Sequence, residues 1–368
     1  MNHPVFRRLL CALLAWVLVL GTLPVTALAE EPALLEEVTD SEITVETAAE
    51  VTEETAAEVT EETMAETTGE TLPEETEEML LLEAEQVAAA PEDDGQVFEI
   101  PFQVNPLYEG IVDPSDYEDW EPEVIAPSTY ALQDEYLTEE EAAKLIRAYM
   151  CARVESFTVY FVTEKEEYVK ADIQALLDQA MEHTGFPTEG DYLAWQYAGW
   201  KASYSHSIAD GVYQYTMTFT VPYYTTAEQE QWVDGEIDSL LTVLGLNGKS
   251  AYEKAKGIYD YICKNVTYDN KNLNDDSYKL KFTAYAALHD KTAVCQGYAL
   301  LLYRLALELG VDCRFISGIG GGGPHGWNII QLGDKYYNAD STWDAGKSTY
   351  SYFLKGTERN RIQQQPCA

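Results

Sequence analysis

The hydrophobic and polar positions along this chain change period several times, and each change marks an element. From Tyr298 the apolar residues Leu301, Leu302, Leu305 and Leu309 recur at helical spacing. Gly310 follows where a helix end favours a left-handed residue, so a buried helix is expected to open near Cys295. Trp327–Leu332 and Lys335–Asp340 read as strands around Gly333-Asp334, a two-residue turn of a composition that hairpins favour. Upstream, Thr138 with Glu141, Thr226 with Gln229 and Ser250 with Glu253 are capping-box pairs that open three helices, the first running to about Arg153. Phe157–Val162 reads as a strand, and Ile173, Leu176, Leu177 and Met181 share one helix face. Trp200–Ala209 and Val212–Val221 form a hairpin about Asp210-Gly211, and Phe98–Tyr130, rich in Pro, Tyr and Asp, reads as an extended arm packed on the body. The expected class is α+β.

The chemistry sits on the last of these elements. Cys295 falls at the mouth of its helix, where unpaired N–H groups and the positive end of the helix dipole favour thiolate over thiol and can receive an oxyanion. If Leu332 pairs with Lys335, then Trp327 lies opposite Asp340 and His325 opposite Thr342. Side chains alternate with period two, so His325 and Asp340 become diagonal neighbours on one face, roughly 7–8 Å apart at the backbone. A carboxylate there holds one ring nitrogen and leaves the other free to take a thiol proton. A slip of one residue would break this arrangement. Cys295, His325 and Asp340 are therefore the expected nucleophile, base and orienting acid. Trp327 and Trp343 are expected as core aromatics, and His289 as a helix-surface residue. The run Gly320–Gly323 before His325 is expected to form a flexible approach loop.

The stretch from about Ser250 to Leu354 resembles the transglutaminase-like superfamily. The resemblance is carried by Tyr259-Asp260-Tyr261-Ile262, Val266-Thr267-Tyr268-Asp269, Val294-Cys295-Gln296-Gly297-Tyr298-Ala299, the strand from Val311 to Gly318, His325-Gly326-Trp327-Asn328 and Asn338–Asp344, in that order. It looks closest to secreted bacterial members and also resembles a peptidase-like branch linked to cytokinesis proteins. The resemblance implies a papain-like core in which a Cys-bearing helix packs on an antiparallel sheet, with Cys295, His325 and Asp340 as its triad. It also implies Tyr268 as a second oxyanion donor, against packing as the plainer role.

Charge divides the chain. Of 64 acidic residues 37 lie between residues 30 and 143, where there is no Lys or Arg, leaving the remainder with 27 acids against 21 bases. The net charge of −41 thus belongs mostly to the N-terminal part. An eight-residue repeat starts at Glu46, Glu54, Glu62 and Glu70, and its Thr-Glu monotony predicts a disordered, solvated tether of the kind that spaces a folded part from a cell wall. Before it, Arg7-Arg8, an apolar run from Leu9 to Leu20 and Ala27-Leu28-Ala29 read as a cleavable secretory signal peptide, which places the mature chain outside the cytoplasm with no membrane span after cleavage. The expected organisation is signal peptide 1–29, tether 30–96, an α+β auxiliary region 97–248 and a catalytic region 249–368.

Nucleic acid is disfavoured as a partner of so acidic a chain. No Cys-x-x-Cys or His-Glu-x-x-His is present, and Asp269–Ser277 lacks the central Gly and ligand alternation of an EF-hand, so neither a metal nor another cofactor is implied. Cys11 leaves with the leader; Cys151, Cys263, Cys313 and Cys367 allow three pairings or free thiols. The function expected is a secreted thiol-dependent acyl-transfer enzyme acting on amide bonds of a protein or peptide. Water as the second nucleophile makes it a peptidase or amidase, the default in dilute solution, and a lysine-like amine makes it a cross-linking transglutaminase. A binding or scaffold module that keeps the fold without turnover is the third reading.

Overall fold

The computed structural model describes residues 96–122 and 136–356 and the backbone of 364–366. The leader at 1–29 and, apart from Gln96, the tether at 30–96 lie outside the described residues, as does the end of the arm from residue 123 to Tyr130.

Two antiparallel four-stranded sheets organise the described part. The first is built from β1 (Phe98–Val104), β2 (Ser156–Thr163), β3 (Gly199–Ala209) and β4 (Val212–Thr220), in the order β1-β3-β4-β2. Asp210 and Gly211 both take positive φ, 52° and 84°, at the turn joining β3 to β4. Alternate residues Tyr215, Met217 and Phe219 face a core formed with α1 (Glu139–Cys151) and α2 (Lys170–Ala180). The expected capping box opens α1: Thr138 Oγ1 accepts from Glu141 N at 3.3 Å, and Glu141 Oε2 accepts from Thr138 N at 2.9 Å. Such a cap contributes about 1 kcal/mol.

A short helix, α3 (Asp191–Ala194), and the long α4 (Ala227–Leu244) come next, followed by α5 (Ala251–Asn265) and a two-residue strand, β5 (Thr267–Tyr268). β5 runs parallel to β6 (Thr292–Ala293), whose chain enters α6 (Cys295–Glu308) directly. Gly310 has φ of +71° just past the end of α6. The amphipathic stripe expected on α6 understates its burial. Every residue from Gln296 to Leu307 is buried, because α4, α5 and the second sheet enclose the helix. Its leucines at 300, 301, 302 and 305 are fully buried and stabilise the fold by roughly 1.5–3 kcal/mol each.

The second sheet has the order β10-β7-β8-β9, with β7 (Cys313–Gly320), β8 (Gly323–Leu332), β9 (Lys335–Ala339) and β10 (Gln364–Pro366). Leu332 pairs with Lys335 and the same register continues to Asn328 opposite Ala339, as the Gly333-Asp334 turn predicts. Three details differ from the sequence-based expectation. β8 begins at Gly323 rather than Trp327, because Gly321 and Gly322, with φ of +62° and +92°, form a tight turn that closes a β7–β8 hairpin. The glycine run is therefore structured, and glycine adopts those angles at successive positions without strain. β9 ends one residue early: Asp340 leaves the ladder to cap a short helix, α7 (Ser341–Asp344), and Thr342 sits in that helix instead of opposite His325.

Candidate active site

Cys295 is the first residue of α6, with Val294 as its N-cap. Intrahelical bonding starts at the Tyr298 N–H, which donates to Val294 O, so the N–H groups of Cys295, Gln296 and Gly297 are not consumed by the helix. The chain reaches this point under close constraint. Val294 N donates to Lys281 O, and a Cβ on Gly297 would meet Ala293 Cβ and Thr283 O at 2.7 Å, so the Gly is required for the loop to press against the helix mouth.

His325 comes from the hairpin partner of β7 and Asp340 from the end of β9. The His325 ring presents Nε2 to Asp340 Oδ2 at 2.7 Å, in a buried setting. With Nε2 engaged, Nδ1 is the ring nitrogen left for the thiol, and Cys295 lies near enough to help raise the imidazole pKa. Burial pushes the imidazole pKa down, but the hydrogen bond and charge of Asp340, helped by the nearby Cys295, outweigh it, raising His325 from 6.5 to about 9. Trp343 stacks on the ring at 4.7 Å between centroids and 14° between planes, and Trp327 lies behind at 6.0 Å. Trp327 is buried as expected, with its Nε1 donating to Asn338 Oδ1, whereas half-buried Trp343 is a wall of the site rather than a core residue.

Asp340 is held from several directions. Its Oδ1 accepts from Trp343 N at 3.2 Å, its backbone N–H donates to Tyr352 O, and its carbonyl accepts from Tyr259 Oη at 2.6 Å. Tyr259 Oη also lies 2.9 Å from Asp344 Oδ2. Asp344, fully buried, accepts in addition from the N–H groups of Ser351 and Tyr352. The capping turn that takes Asp340 out of the ladder is thus braced from below by a second buried carboxylate.

The seat of the His325 ring is Gly320. A Cβ there would stand 2.8–2.9 Å from His325 Cβ, Cγ and Cδ2, whereas a Cβ on Gly323 meets nothing within 4 Å. Gly320→Ala is therefore expected to displace the ring and cut the alkylation rate of Cys295 by at least about tenfold, since small misplacements of a reacting group are costly. Gly323→Ala is expected to leave the rate within about twofold of the original, and equal rates in the two variants would refute this packing argument.

Two more residues belong to this end of the helix. Tyr268 lies on β5 opposite Ala293, and burial together with the nearby Cys295 pushes its phenol up to about 12. It remains a hydroxyl donor across neutral pH, the state an oxyanion donor needs. Gln296 carries a contact that spacing gave no sign of. Its Nε2 donates to Tyr108 Oη at 2.6 Å and to Trp195 O at 3.0 Å, while Tyr108 Oη donates to Trp195 O at 2.7 Å. The buried arm residue Tyr108 and the residue just after α3 therefore steady the first turn of the Cys helix.

His289 is exposed on a π-turn, bonded to Asp290, and takes no part. Cys263, Cys295 and Cys313 are free thiols, Cys151 Sγ lies 3.5 Å from Thr188 O, and Cys367 lies outside the described residues. Burial, with Asp344 and Asp260 nearby, pushes Cys263 up to about 12, and burial also drives Cys313 well above the ordinary range. Half-buried Cys295 differs from both by its imidazole partner.

Residues 242–341 match the family model of the Transglutaminase-like superfamily. This segment is a transglutaminase-like core. It takes in Cys295, His325 and Asp340 and stops short of Tyr108, Trp195 and Trp343, so part of the site wall lies outside the transglutaminase-like segment. The chain is 25% identical to kyphoscoliosis peptidase of Mus musculus over 126 residues, covering 31% of this chain and 19% of that protein. The Homo sapiens protein of the same name is 25% identical over 122 residues, 30% and 18% of the respective chains. The chain thus spans about a fifth of the length of these curated relatives. A solved structure described as a TGase is similar at 18% identity, with a TM-score of 0.29 over 55% of this chain and 56% of the other.

Proposed function

We propose that this protein is a thiol-dependent acyl-transfer enzyme acting on amide bonds of a protein or peptide, with hydrolysis as its ordinary outcome. The observation that carries the reading is the His325 ring, held at Nε2 by Asp340 and with Cys295 near enough to help raise its pKa. Its raised pKa favours an imidazolium beside the sulfur, the pair that makes a cysteine nucleophilic at neutral pH.

The thiolate attacks the amide carbon, and the oxyanion is received by the α6 N–H groups and the Tyr268 hydroxyl. As the C–N bond breaks, His325 Nδ1 gives its proton to the departing amine, leaving a thioester on Cys295. Neutral His325 then takes a proton from water, which attacks the thioester and regenerates the thiol. A primary amine in place of water gives transamidation with the same proton traffic. We place the enzyme outside the cytoplasm on the strength of its leader-like N-terminus.

The test is iodoacetamide labelling of Cys295 against pH, read by peptide mass spectrometry in the original chain and in His325→Ala. Labelling at pH 6 is expected to be fast relative to Cys263 and Cys313 and to fall by about a hundredfold in the variant. Cys295 labelling that follows an ordinary thiol near pH 8.5 in both proteins would sink the enzyme and favour a binding module.

A further inference from the structure

The outer edge of β7 is treated differently along its length. At its start, Asp191 Oδ2 accepts from Phe315 N at 2.8 Å, while the same carboxylate takes Arg314 through Nε and Nη2 at 2.7 and 2.8 Å. A side chain thus covers the edge there, as proteins commonly do to stop unwanted pairing. Backbone groups along a strand alternate in direction, so Ser317 and Ile319 point their N–H and C=O outward on the same side as Phe315. Among the described residues no such side-chain cover lies over this half. Instead Gln364–Pro366 pairs along it as β10, with Gln364 opposite Gly320, Gln365 opposite Ile319 and Pro366 opposite Gly318.

The open half lies beside the candidate active site. Gly318 is opposite His325 in the β7–β8 ladder, and the His325 ring leans over Gly320. A strand added to this edge runs about 4.8 Å from β7. A residue opposite Gly320 shares the sheet face that carries the ring, because paired residues share a face. Gly318 and Gly320 offer no side chains to obstruct it, and Ile319 is 47% exposed.

We propose that the Ser317–Gly320 edge is a strand-addition site that seats an extended peptide beside His325, recognised through its backbone, and that Gln364–Pro366 is a resident segment competing for it. What the peptide is for rests on the acyl-transfer reading; its binding does not. Strand addition takes affinity from main-chain hydrogen bonds and tolerates varied sequence. A segment of the same chain competes at a high effective concentration, so the edge is masked until that segment is displaced.

The experiment uses the full chain carrying Cys295→Ser, which removes turnover, with and without Gln365→Pro. Gln365 pairs with outward-pointing Ile319, so proline there deletes the N–H that reaches β7. The probe is a fluorescein-labelled hexapeptide with the sequence of residues 361–366, followed by anisotropy. Gln365→Pro is expected to tighten probe binding by about tenfold or more. N-methylation of the probe at the Gln365 position is expected to abolish binding, and at the Gln364 position to spare it, a comparison that involves no change to the protein. Equal affinity with and without Gln365→Pro, or two N-methylated probes that behave alike, overturns the proposal. An unreactive Cys295 in the labelling experiment would instead remove the enzymatic reading and leave the binding result standing.

Discussion

Replacing Asp340 by asparagine is expected to slow acylation of Cys295 by p-nitrophenyl acetate about 10²–10⁴-fold while leaving the fold intact. Asparagine caps a helix as well as aspartate does, so the Oδ1 contact to Trp343 N survives. What is lost is the negative charge against Nε2. Asp340→Ala removes the cap as well and is expected to cost about 1 kcal/mol of stability in addition. The two variants thus separate the carboxylate's structural role from its electrostatic one.

The same substitution moves a titration. The pKa of His325 is raised in the folded protein to about 9 from 6.5. The stability it contributes is therefore complete below about pH 6.5 and is lost as pH rises through 9. In Asp340→Asn the hydrogen bond to a carboxylate and its charge disappear, so the ring titrates lower and the loss of stability moves to lower pH. Urea unfolding between pH 6 and 10, with the His325 ring followed by NMR, measures both. An unchanged titration in the variant would mean that Asp340 does not hold the ring as described.

Glu230→Gln is expected to lower stability by about 3–5 kcal/mol, a fall in melting temperature on the order of 10 °C, because it breaks a buried charge network from one side. Glu230 Oε1 lies 3.1 Å from Arg153 Nη2 and accepts from Thr225 Oγ1, while Oε2 accepts from Tyr192 Oη and lies 3.7 Å from Arg304 Nη1. Burial pushes the Glu230 carboxyl up, but Arg153 and Arg304 outweigh it and hold it below the usual range. Its contribution is present above the ordinary carboxylate value and lost as pH falls through the lowered one, so Glu230→Gln should also flatten the acid side of the stability curve. Arg304 is fully buried on the helix that begins with Cys295, which ties that helix to α4 and, through Arg153, to the end of α1. A melting temperature within about 2 °C of the original would show that the network contributes little.

Much of the candidate site was legible because its information is local. A Gly-Asp turn sets the register of the two strands beside it, and a register of period two decides which side chains share a face. That argument, anchored at Leu332 and Lys335, puts His325 and Asp340 on neighbouring strand ends, and the structure brings them to 2.7 Å. The mouth of α6 could likewise be read from apolar spacing and Gly310. The same reasoning erred where a local pattern competes with packing. Asp340 continues the alternation of β9, yet Tyr259 and the Tyr352 carbonyl draw its backbone out of the ladder to cap α7. Four consecutive glycines signal flexibility when read alone, but two of them are a hairpin turn and Gly320 is the space in which the His325 ring sits.

Residues a few positions apart were enough to place the main helices and strands, the three capping boxes, the β3–β4 and β8–β9 turns and the order of thiol, imidazole and carboxylate. Packing between distant elements alone makes Tyr108 reach across 188 positions to Gln296, Trp343 stack on the imidazole, Asp344 brace the loop carrying Asp340, and Arg153 and Arg304 share Glu230. Those contacts arise from how faces of separate elements meet. No periodicity along the chain encodes such a meeting, because burial and charge pairing are settled by the packing of the whole.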